Sequence, residues 1–435
     1  MNFSSYYQQT PIMRRILEYL GDAVYVKGSD LDPNSDKKFR RYNDIIHAMA
    51  DGFDVYRSNL DFRNLVQVID IEYGNKQFPG EIFHNPLETF HKIDSTRENI
   101  KELFHRNKVE NIEVMTGQGY NFAFQVPRDS PSYDALVKIG VKNRVIPWTA
   151  AQKLLEKQER YTNIPLLKDH IASTAFGRIN DYIFDLIREN SGMLVRTSDV
   201  FDNNEISIFD TTQHGYLLNR RAFRLAFSLH QKTRTSDKYG YHGPPIVSLP
   251  TSETSLEDRV RIRQDERNNY KSAVEFAREI DVDIPCADLT SLITNYLISP
   301  TFDRHREHAE NLGYQEIDSP EKESLYERLN AEIPEIKPND VFWDIPKTAN
   351  WDLFKSKNLN SEVWRIFGNP NDAMLNPGAL RYVISEMKEK EISDRDIITA
   401  IAQKYSENHN WTSDLWKNDE ILRAEYWVRT LTTQI

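Results

Sequence analysis

The hydrophobic pattern at the start of the chain predicts two helices followed by two strands. Apolar residues recur at helical spacing in residues 11–20 and 41–50. After Gly52 the pattern changes, because residues 54–60 and 64–74 are rich in β-branched and aromatic side chains, and the second run ends at a glycine. The chain is therefore expected to enter a sheet after a helical start.

A helix and a pair of strands are predicted next. Residues 92–109 have helical periodicity, with Ser95 as a suitable N-cap and Glu98, three residues later, completing a capping box. Residues 112–127 have the pattern of a strand, a glycine turn and a second strand. The order strand–strand–helix–strand–strand predicts a mixed α/β unit.

The remainder of the chain is predicted to be mainly helical, with two further strands. Residues 129–195 favour helices, whereas 204–210 and 220–230 return to strand-like alternation. From about residue 251 the sequence is typical of helices and loops.

Capping residues mark two of the late helices. Asn376 with Pro377 after it, and Ser393, directly precede helical periods. We predict an α+β fold with a mixed α/β core and a C-terminal all-helical domain. The predicted segments are an N-terminal helical extension (1–39), a catalytic domain (40–250) and a helical accessory domain (251–435).

The amino-acid composition argues against a membrane-spanning, a disulfide-bonded and a zinc-binding protein. The 435 residues are 28% charged and 39% hydrophobic, and no run approaches the roughly 20 apolar residues of a membrane span. The N-terminus has no apolar stretch with a small-residue cleavage site, and the single cysteine, Cys286, excludes an internal disulfide and a multi-cysteine zinc site. We therefore expect a cytoplasmic protein that contacts no membrane and holds no zinc.

The charge of the chain is acidic overall and unevenly distributed. A formal net charge of −11 argues against a protein that coats nucleic acid nonspecifically, although it allows a local basic groove. Basic clusters at 37–41 and 259–267 are typical of solvated faces. The segment 221–234, RAFRLAFSLHQKTR, is unusual because its cations alternate with apolar residues as in a half-buried strand.

Three carboxylates form a candidate metal site. Asp70 and Glu72 are two residues apart near the end of an apolar strand, so both side chains lie on one face. Like charges repel there unless a cation lies between them, and paired Mg²⁺ or Mn²⁺ ions are held in this way in phosphoryl-transfer enzymes. Asp210, at the end of the strand ISIFD, is a candidate third ligand, although an edge strand with a solvated polar face has the same pattern.

The turn TGQGY at 116–120 is a candidate phosphate-binding loop. Gly117 and Gly119 allow the backbone to approach a ligand closely and leave N–H groups that bind anions. A plain hairpin turn has the same residues.

In their order, these motifs resemble the catalytic core of archaeo-eukaryotic primases and primase-polymerases. The carboxylate pair is followed by a helix, the glycine turn, the later aspartate and a segment R-x-x-R-x-x-x-S-L-H-x-K-T, over about residues 40–250. The resemblance implies a primase-type mixed α/β core that binds nucleoside triphosphates. The C-terminal part resembles, more loosely, helical domains appended to primases of mobile elements.

The resemblance also implies roles for individual residues. Asp70, Glu72 and Asp210 become the catalytic ligands of two Mg²⁺ or Mn²⁺ ions. Arg224, His230 and Lys232 become contacts of the triphosphate. The full set of implied nucleotide-binding residues is Gly117, Gly119, Asn121, Arg221, Arg224, Ser228, His230 and Lys232.

The chain departs from the family pattern in three places. Asn121 stands where the family has a histidine that contacts the nucleotide, and asparagine can donate a hydrogen bond but carries no positive charge. The frequent zinc knuckle and a helicase motif of the form G-x-x-x-x-G-K-[ST] are both absent. Unwinding is therefore expected from a partner, either a helicase or another replication protein.

The predicted function is template-directed nucleotidyl transfer on single-stranded DNA, as by a DNA primase or primase-polymerase. Asn121 favours an alternative, a noncatalytic nucleic-acid-binding or replication-initiation protein built on a degenerate primase core. A metal-dependent nuclease is a second alternative, because it uses the same carboxylates without a triphosphate site.

Overall fold

The structure is a computed structural model. It describes residues 3–29, 39–41, 45–158, 164–197, 205–210, 218, 221–231, 239–251, 254–265, 269–312, 327, 342–368, 377–407 and 420–432. These residues form a mixed α+β protein, as the hydrophobic pattern predicts.

The strands form two main sheets and two short pairs. Their bounds are β1 Tyr25–Ser29, β2 Phe39–Arg41, β3 Asp54–Ser58, β4 Asn64–Asn75, β5 Ile112–Met115, β6 Gly119–Pro127, β7 Ile146–Pro147, β8 Val195–Arg196, β9 Glu205–Asp210, β10 Ala222–Arg224, β11 Leu229–His230, β12 Ile246–Val247, β13 Leu249–Pro250 and β14 Phe342–Trp343. The six-stranded sheet has the order β13-β5-β6-β4-β9-β8, and the four-stranded sheet has the order β10-β3-β1-β2.

The helices precede, connect and follow these strands. Their bounds are α1 Phe3–Tyr7, α2 Thr10–Leu20, α3 Ile45–Ala50, α4 Glu81–His84, α5 Pro86–Arg106, α6 Pro131–Lys142, α7 Trp148–Gln158, α8 Leu166–Asn190, α9 Leu256–Arg263, α10 Lys271–Glu279, α11 Thr290–Leu297, α12 Pro300–Asn311, α13 Trp351–Ser356, α14 Ser361–Gly368, α15 Pro377–Glu389, α16 Asp394–Glu407 and α17 Glu420–Thr432. In the described part of the chain, none of them is long and apolar enough to cross a membrane.

Strand β4 is central in the six-stranded sheet and is covered on both faces over most of its length. It pairs antiparallel with β6 on one side and with β9 on the other. On one face, the ring of Phe104 from α5 lies 6.1 Å from Phe122 and 5.8 Å from Phe124 of β6. A strand with apolar neighbours on both faces is expected to have a nearly continuous apolar sequence, as LVQVI in this strand has.

The opposite face of β4 belongs to an apolar core that both sheets share. Val66 and Val68 of β4 lie in one buried cluster with Val26 of β1 and Val55 of β3. Residues of α1, α2 and α10 complete this cluster, so the first helices are part of the core. Because Val66, Val68 and Asp70 alternate along the strand, Asp70 lies on the same face as this core.

The division into compact units differs from the predicted domain boundaries. One unit, here called the sheet unit, comprises Met1–Tyr133, Ile183–Gln213 and Leu218–Leu292, and the other, the helical unit, comprises Asp134–Tyr182, His214–Leu217 and Ile293–Ile435. The predicted extension 1–39 is thus part of the sheet unit, because α1 and α2 bury apolar side chains there. The segment from Asp134 to Tyr182 joins the helical unit instead of the predicted catalytic domain.

The helical unit is mainly, but not entirely, helical. Its core is formed by apolar residues of α13 to α17, and β7 pairs in parallel with β14 inside the unit. Two predicted helix starts are found, since α15 begins at Pro377 and the Ser393 Oγ accepts a hydrogen bond from the Asp396 N–H of α16 at 3.1 Å. Asn376 lies outside the described residues.

A buried network of charged side chains crosses the helical unit. His308 of α12 bridges two carboxylates: its Nδ1 is 2.7 Å from Asp394 Oδ2 and its Nε2 is 3.3 Å from Glu425 Oε1. Burial alone would lower the pKa of His308, but these two hydrogen bonds and charges raise it above its usual value. The two carboxylates therefore favour the protonated form of His308.

This network predicts a specific pH dependence of stability. Because the pKa of His308 is raised on folding, its contribution is fully present below the ordinary value of 6.5 and is lost as the pH rises through the folded value. The difference in unfolding free energy between wild type and His308→Gln should therefore shrink as the pH rises from 6 to 9, measured by urea unfolding. His305→Gln is the control, because burial lowers the pKa of His305 and that residue is already neutral at pH 6. A difference that stays constant over this range would contradict the assignment.

Candidate functional site

Two of the three predicted carboxylates face each other across neighbouring strands. Asp70 of β4 is paired with Asp210 of β9 and, on its other side, with Asn121 of β6. Residues directly opposite each other in antiparallel strands project from the same face, with Cβ atoms about 4.5–5.5 Å apart. Asn121, Asp70 and Asp210 therefore form a row across three strands, here called the polar row.

Glu72 lies beside the polar row on the same face. It is opposite Gly119 of β6 and Ile208 of β9, one side-chain repeat further along β4. Asp70, Glu72 and Asp210 are all partly exposed, whereas Ile71 between the first two is fully buried. The carboxylates thus lie at the solvent-exposed edge of the shared apolar core.

The glycine turn packs directly against the strand that carries the carboxylates. The Thr116 N–H donates to the Gly119 carbonyl at 2.8 Å, and the Tyr73 N–H of β4 donates to the Gln118 carbonyl at 2.8 Å. A Cβ atom added at Gly119 would lie 1.8 Å from the Ile71 carbonyl oxygen. Only glycine allows this approach of the two backbones, so this residue is required by the packing of the turn.

The other glycine of the turn brings in His230. A Cβ atom at Gly117 would lie 1.9 Å from His230 Nδ1, so the imidazole packs against the bare backbone of the turn. His230 is buried in β11, with its ring 6.0 Å from that of Phe83. Tertiary structure thus brings His230 to the glycine turn, although the two lie more than one hundred residues apart.

Asn121 is the member of the polar row that the family pattern does not explain. Its side chain is 5% exposed, and its Oδ1 is buried with no hydrogen-bond partner. A buried carbonyl oxygen without a partner costs roughly 1–3 kcal/mol unless a cation or donor reaches it. Because Asn121 lies opposite Asp70, its side chain is on the same face of the sheet as the carboxylates.

The basic segment 221–234 is not the continuous strand that its alternation predicts. Strand β10 ends at Arg224, Phe227 adopts a left-handed conformation with φ 60°, and β11 begins only at Leu229. Phe223, Leu225 and Phe227 are all buried in the shared core, but so is Ala226, which alternation assigns to the opposite face. The tight turn therefore replaces the predicted two-faced strand.

Arg224 and Ser228 hold this turn onto β3. Arg224 Nη1 donates to Asp54 Oδ2 at 2.6 Å, and its Nη2 donates to the Tyr56 hydroxyl at 2.6 Å. Ser228 Oγ accepts the Val55 N–H at 2.8 Å. Both side chains are buried within the sheet unit, and their contact with a triphosphate stays a prediction.

Two further predicted triphosphate contacts are Arg221 and Lys232. Arg221 is partly buried, and its carbonyl accepts a hydrogen bond from the Tyr25 hydroxyl at 2.6 Å. Lys232 lies outside the described residues.

A buried arginine that the sequence analysis missed lies beneath the glycine turn. Arg263 of α9 is 0% exposed, and its Nη2 donates to the Gly117 carbonyl at 2.8 Å. Its guanidinium carbon is 4.8 Å from the centre of the Phe90 ring, and burial lowers its pKa to about 9. Among the described residues no carboxylate pairs with it, and its Nε and Nη1 are buried without a partner.

Arg259, one turn earlier on α9, adds a second buried cation. Its side chain is 5% exposed, and its Nε also has no hydrogen-bond partner. Leu256, Arg259, Ile262 and Arg263 are the buried residues of the helix, whereas Arg261 is exposed and pairs with Asp258. Arg259 and Arg263 lie three and seven positions after Leu256, which is the spacing of residues on one face of a helix. This spacing could have indicated that the two arginines are buried.

The polar row has donors of the chemical type that a divalent cation prefers. Carboxylate and amide oxygens are the ligands that Mg²⁺ and Mn²⁺ prefer. Over the described ranges, no group of three or more His, Cys, Asp or Glu side chains is arranged to hold a metal ion. The fit therefore rests on the shared face and on the buried Asn121 oxygen.

Comparison with known proteins adds no assignment. The chain matches no protein-family model and no curated protein.

Proposed function

We propose that this chain is a template-directed nucleotidyltransferase of the primase or primase-polymerase type. The observation that carries the proposal is the polar row of Asn121, Asp70 and Asp210, with Glu72 and the glycine turn beside it on the same sheet. In this proposal the substrates are nucleoside triphosphates and a single-stranded DNA template, and a separate replication protein supplies unwinding.

The carboxylates have the metal-binding role in this proposal. Asp70, Glu72 and Asp210 would hold two Mg²⁺ or Mn²⁺ ions, which supply Lewis acidity to the attacking 3′-hydroxyl and the leaving pyrophosphate when bound. The Asn121 amide oxygen would complete the ligand set, which explains why an uncharged side chain is tolerated in the row. The rigid pairing of β6, β4 and β9 keeps these donors in fixed relative positions.

The positive charge that faces the triphosphate comes partly from α9 in this proposal. Arg224 is neutralised by Asp54, whereas Arg263 and Arg259 are buried cations without a carboxylate partner in the described structure. Arg263 binds the carbonyl of Gly117 and so orients the turn whose N–H groups would receive phosphate oxygens. His230, another residue of the predicted set, packs on the same glycine.

The test of the proposed function is an extension assay. Full-length protein is incubated with a single-stranded DNA template and labelled ribo- or deoxyribonucleoside triphosphates, with Mg²⁺, Mn²⁺ or EDTA. We expect metal-dependent products that grow with time. A shortening of the labelled template without nucleotide addition would identify a nuclease instead.

A noncatalytic nucleic-acid-binding protein is the second candidate function. It is favoured by the structural use of Arg224 and Ser228, which in the predicted enzyme contact the triphosphate. This alternative gains support if the protein binds single-stranded DNA but shows no metal-dependent binding of nucleoside triphosphates.

The Arg263→Met variant is expected to bind nucleoside triphosphates about ten- to a hundredfold more weakly. A hydrogen bond to a charged group contributes about 1.5–3 kcal/mol, and this cation holds the turn that would receive the phosphates. The free energy of unfolding should not fall, since the substitution removes a buried charge that lacks a carboxylate partner. Titration with a fluorescent triphosphate analogue measures the affinity.

The matched control for this prediction is Arg261→Met. Arg261 lies on the same helix but is exposed and paired with Asp258. Equal losses of affinity in the two variants would show a nonspecific charge effect. Wild-type affinity in Arg263→Met would show that this arginine has no role in the site.

A further inference from the structure

Three aromatic side chains form an exposed group at the end of β4. Phe78, in the loop that follows this strand, is 40% exposed, and its ring stacks on that of His84 with 5.3 Å between the ring centres and 27° between the planes. The ring of Tyr241 meets that of His84 edge-on at 5.5 Å. His84 is exposed and Tyr241 is partly exposed. These three residues are here called the aromatic platform, and nothing in the proposed reaction uses them.

Buried rings connect the aromatic platform to the glycine turn. The centre of the Phe83 ring lies 5.5 Å from that of Tyr241 and 6.0 Å from that of His230. His230 in turn packs against Gly117 of the glycine turn. The platform therefore lies at the same end of β4 as Glu72 and the glycine turn, and further from the turn than His230 does.

Hydrogen bonds hold two members of the aromatic platform in place. The Phe78 N–H donates to Asn75 Oδ1 at 3.1 Å, which fixes the loop to the last residue of β4. His84 Nε2 is 3.1 Å from the Gly240 carbonyl oxygen, which ties α4 to the segment that carries Tyr241. A surface that is already ordered loses little conformational entropy when a ligand binds to it.

The exposed rings suit a flat ligand with an accessible ring face. Single exposed apolar residues are normal on a protein surface, whereas a contiguous exposed group is typical of binding sites. Proteins that bind single-stranded nucleic acid combine aromatic rings, on which the bases stack, with cations that contact the backbone. Lys76, two residues before Phe78 in the same loop, is exposed and supplies a cation for a phosphate.

We propose that the aromatic platform stacks a base of the single-stranded template. The proposal rests on the proposed function, which makes single-stranded DNA a substrate, and it names the residues that hold this strand. Phe83 and His230 lie between the platform and the turn that would receive the triphosphate. A strand of many nucleotides extends past these rings, whereas a single nucleotide bound at the turn is short, so the geometry favours the template over the base of the incoming nucleotide.

The test is binding of a fluorescein-labelled oligothymidine to the full chain, measured by fluorescence anisotropy in EDTA so that no metal-dependent reaction occurs. Phe78→Ala should weaken binding by about five- to a hundredfold, the loss of one stacked base. Phe78→Tyr keeps an aromatic ring at this position and should bind as wild type does.

Phe62→Ala is the matched control. Phe62 is 50% exposed in the same unit, but it precedes β4 whereas Phe78 follows it, and the 12 residues of this strand span about 40 Å. Its loss should leave binding unchanged. A second control is an oligonucleotide of the same length that has the sugars and phosphates but no bases, and Phe78→Ala should bind it as wild type does.

The outcomes separate this proposal from the proposed function. Asp70→Asn should bind the oligothymidine in EDTA as wild type does, so a failure of extension leaves the stacking result unchanged. Full affinity of Phe78→Ala for the oligothymidine overturns the role of the platform and leaves any extension activity standing.

Four other results also overturn the proposal. They are no binding of the oligothymidine by wild type, an equal loss of affinity in Phe62→Ala, and an equal loss when Phe78→Ala binds the oligonucleotide without bases. The fourth is a loss in Phe78→Ala that affects only a fluorescent triphosphate analogue, because the platform would then contact the incoming nucleotide and not the template.

Discussion

Replacing Asp70 with asparagine is expected to abolish nucleotide addition while leaving the fold intact. Asp70 is the centre of the polar row, with Asn121 on one side and Asp210 on the other. In the proposed site, its carboxylate would be one of the ligands that hold the metal ions. Loss of even an outer partner of a metal ligand costs about 10- to 100-fold in metal affinity or activity, so loss of the ligand itself should exceed this range. The extension assay with Mg²⁺ and with Mn²⁺ measures the effect.

The stability of the Asp70→Asn variant distinguishes a functional residue from a structural one. Asparagine has the same shape and size as aspartate, and Asp70 is partly exposed. Without metal, the variant should therefore unfold at about the same denaturant concentration as wild type. With Mn²⁺, wild type should gain stability and the variant should not, because ligand binding stabilises the folded state.

Asp283→Asn is the control for the Asp70 variant. Asp283 is an exposed carboxylate of the same unit, and it lies outside the six-stranded sheet. It should retain wild-type extension and the stabilisation by Mn²⁺. Full activity of Asp70→Asn, or a large loss of stability without metal, would refute the role of Asp70 in metal binding.

Replacing Arg224 with methionine is expected to lower the free energy of unfolding by about 3–5 kcal/mol, the cost of removing one partner of a buried ion pair. The guanidinium pairs with Asp54 at 2.6 Å and lies 4.6 Å from the centre of the Tyr56 ring. Its loss leaves the Asp54 carboxylate buried without its cation. Urea unfolding followed by circular dichroism measures the change.

The double variant Arg224→Met with Asp54→Asn isolates the ion pair. An asparagine at position 54 keeps an acceptor for the Gln231 N–H, which donates to Asp54 Oδ2 at 3.1 Å, but carries no charge. The double variant should regain most of the stability lost by Arg224→Met alone. If Arg224→Met instead keeps wild-type stability and loses triphosphate binding, the residue contacts the nucleotide as the family resemblance implies.

The strands of the candidate site could be predicted because the sequence features that indicate a strand lie within the strand itself. Alternation and β-branched residues locate β3, β4, β5 and β6, and the glycine turn between β5 and β6 is found where the sequence places it. Asp70 and Glu72 share a face for the same reason, since side chains alternate along any strand. The pairing of Asp70 with Asp210 was only a hypothesis, because strand order depends on contacts between distant segments.

The local sequence pattern gave a wrong prediction for the start of α5 and for the basic segment 221–234. The capping box at Ser95 predicts a helix start there, but α5 begins at Pro86. The added turns are held by packing, because the Phe90 ring lies 5.3 Å from Tyr120 of β6 and Ile93 is fully buried. In the basic segment, the hydrogen bond from Val55 to Ser228 and the left-handed Phe227 interrupt the predicted strand.

The sequence by itself determined the mixed α+β class, the strands that carry the carboxylates and the position of the glycine turn between β5 and β6. These properties follow from backbone geometry and from the spacing of apolar residues, which act over a few positions. Only the tertiary structure decided which cations are neutralised. Arg224 meets Asp54 in the adjacent strand, whereas Arg263, in a cluster that resembles a solvated face, is buried against the carbonyl of Gly117. Burial and charge pairing depend on residues far apart in the chain, so the local sequence around Arg224 and Arg263 did not show which of the two is paired with a carboxylate.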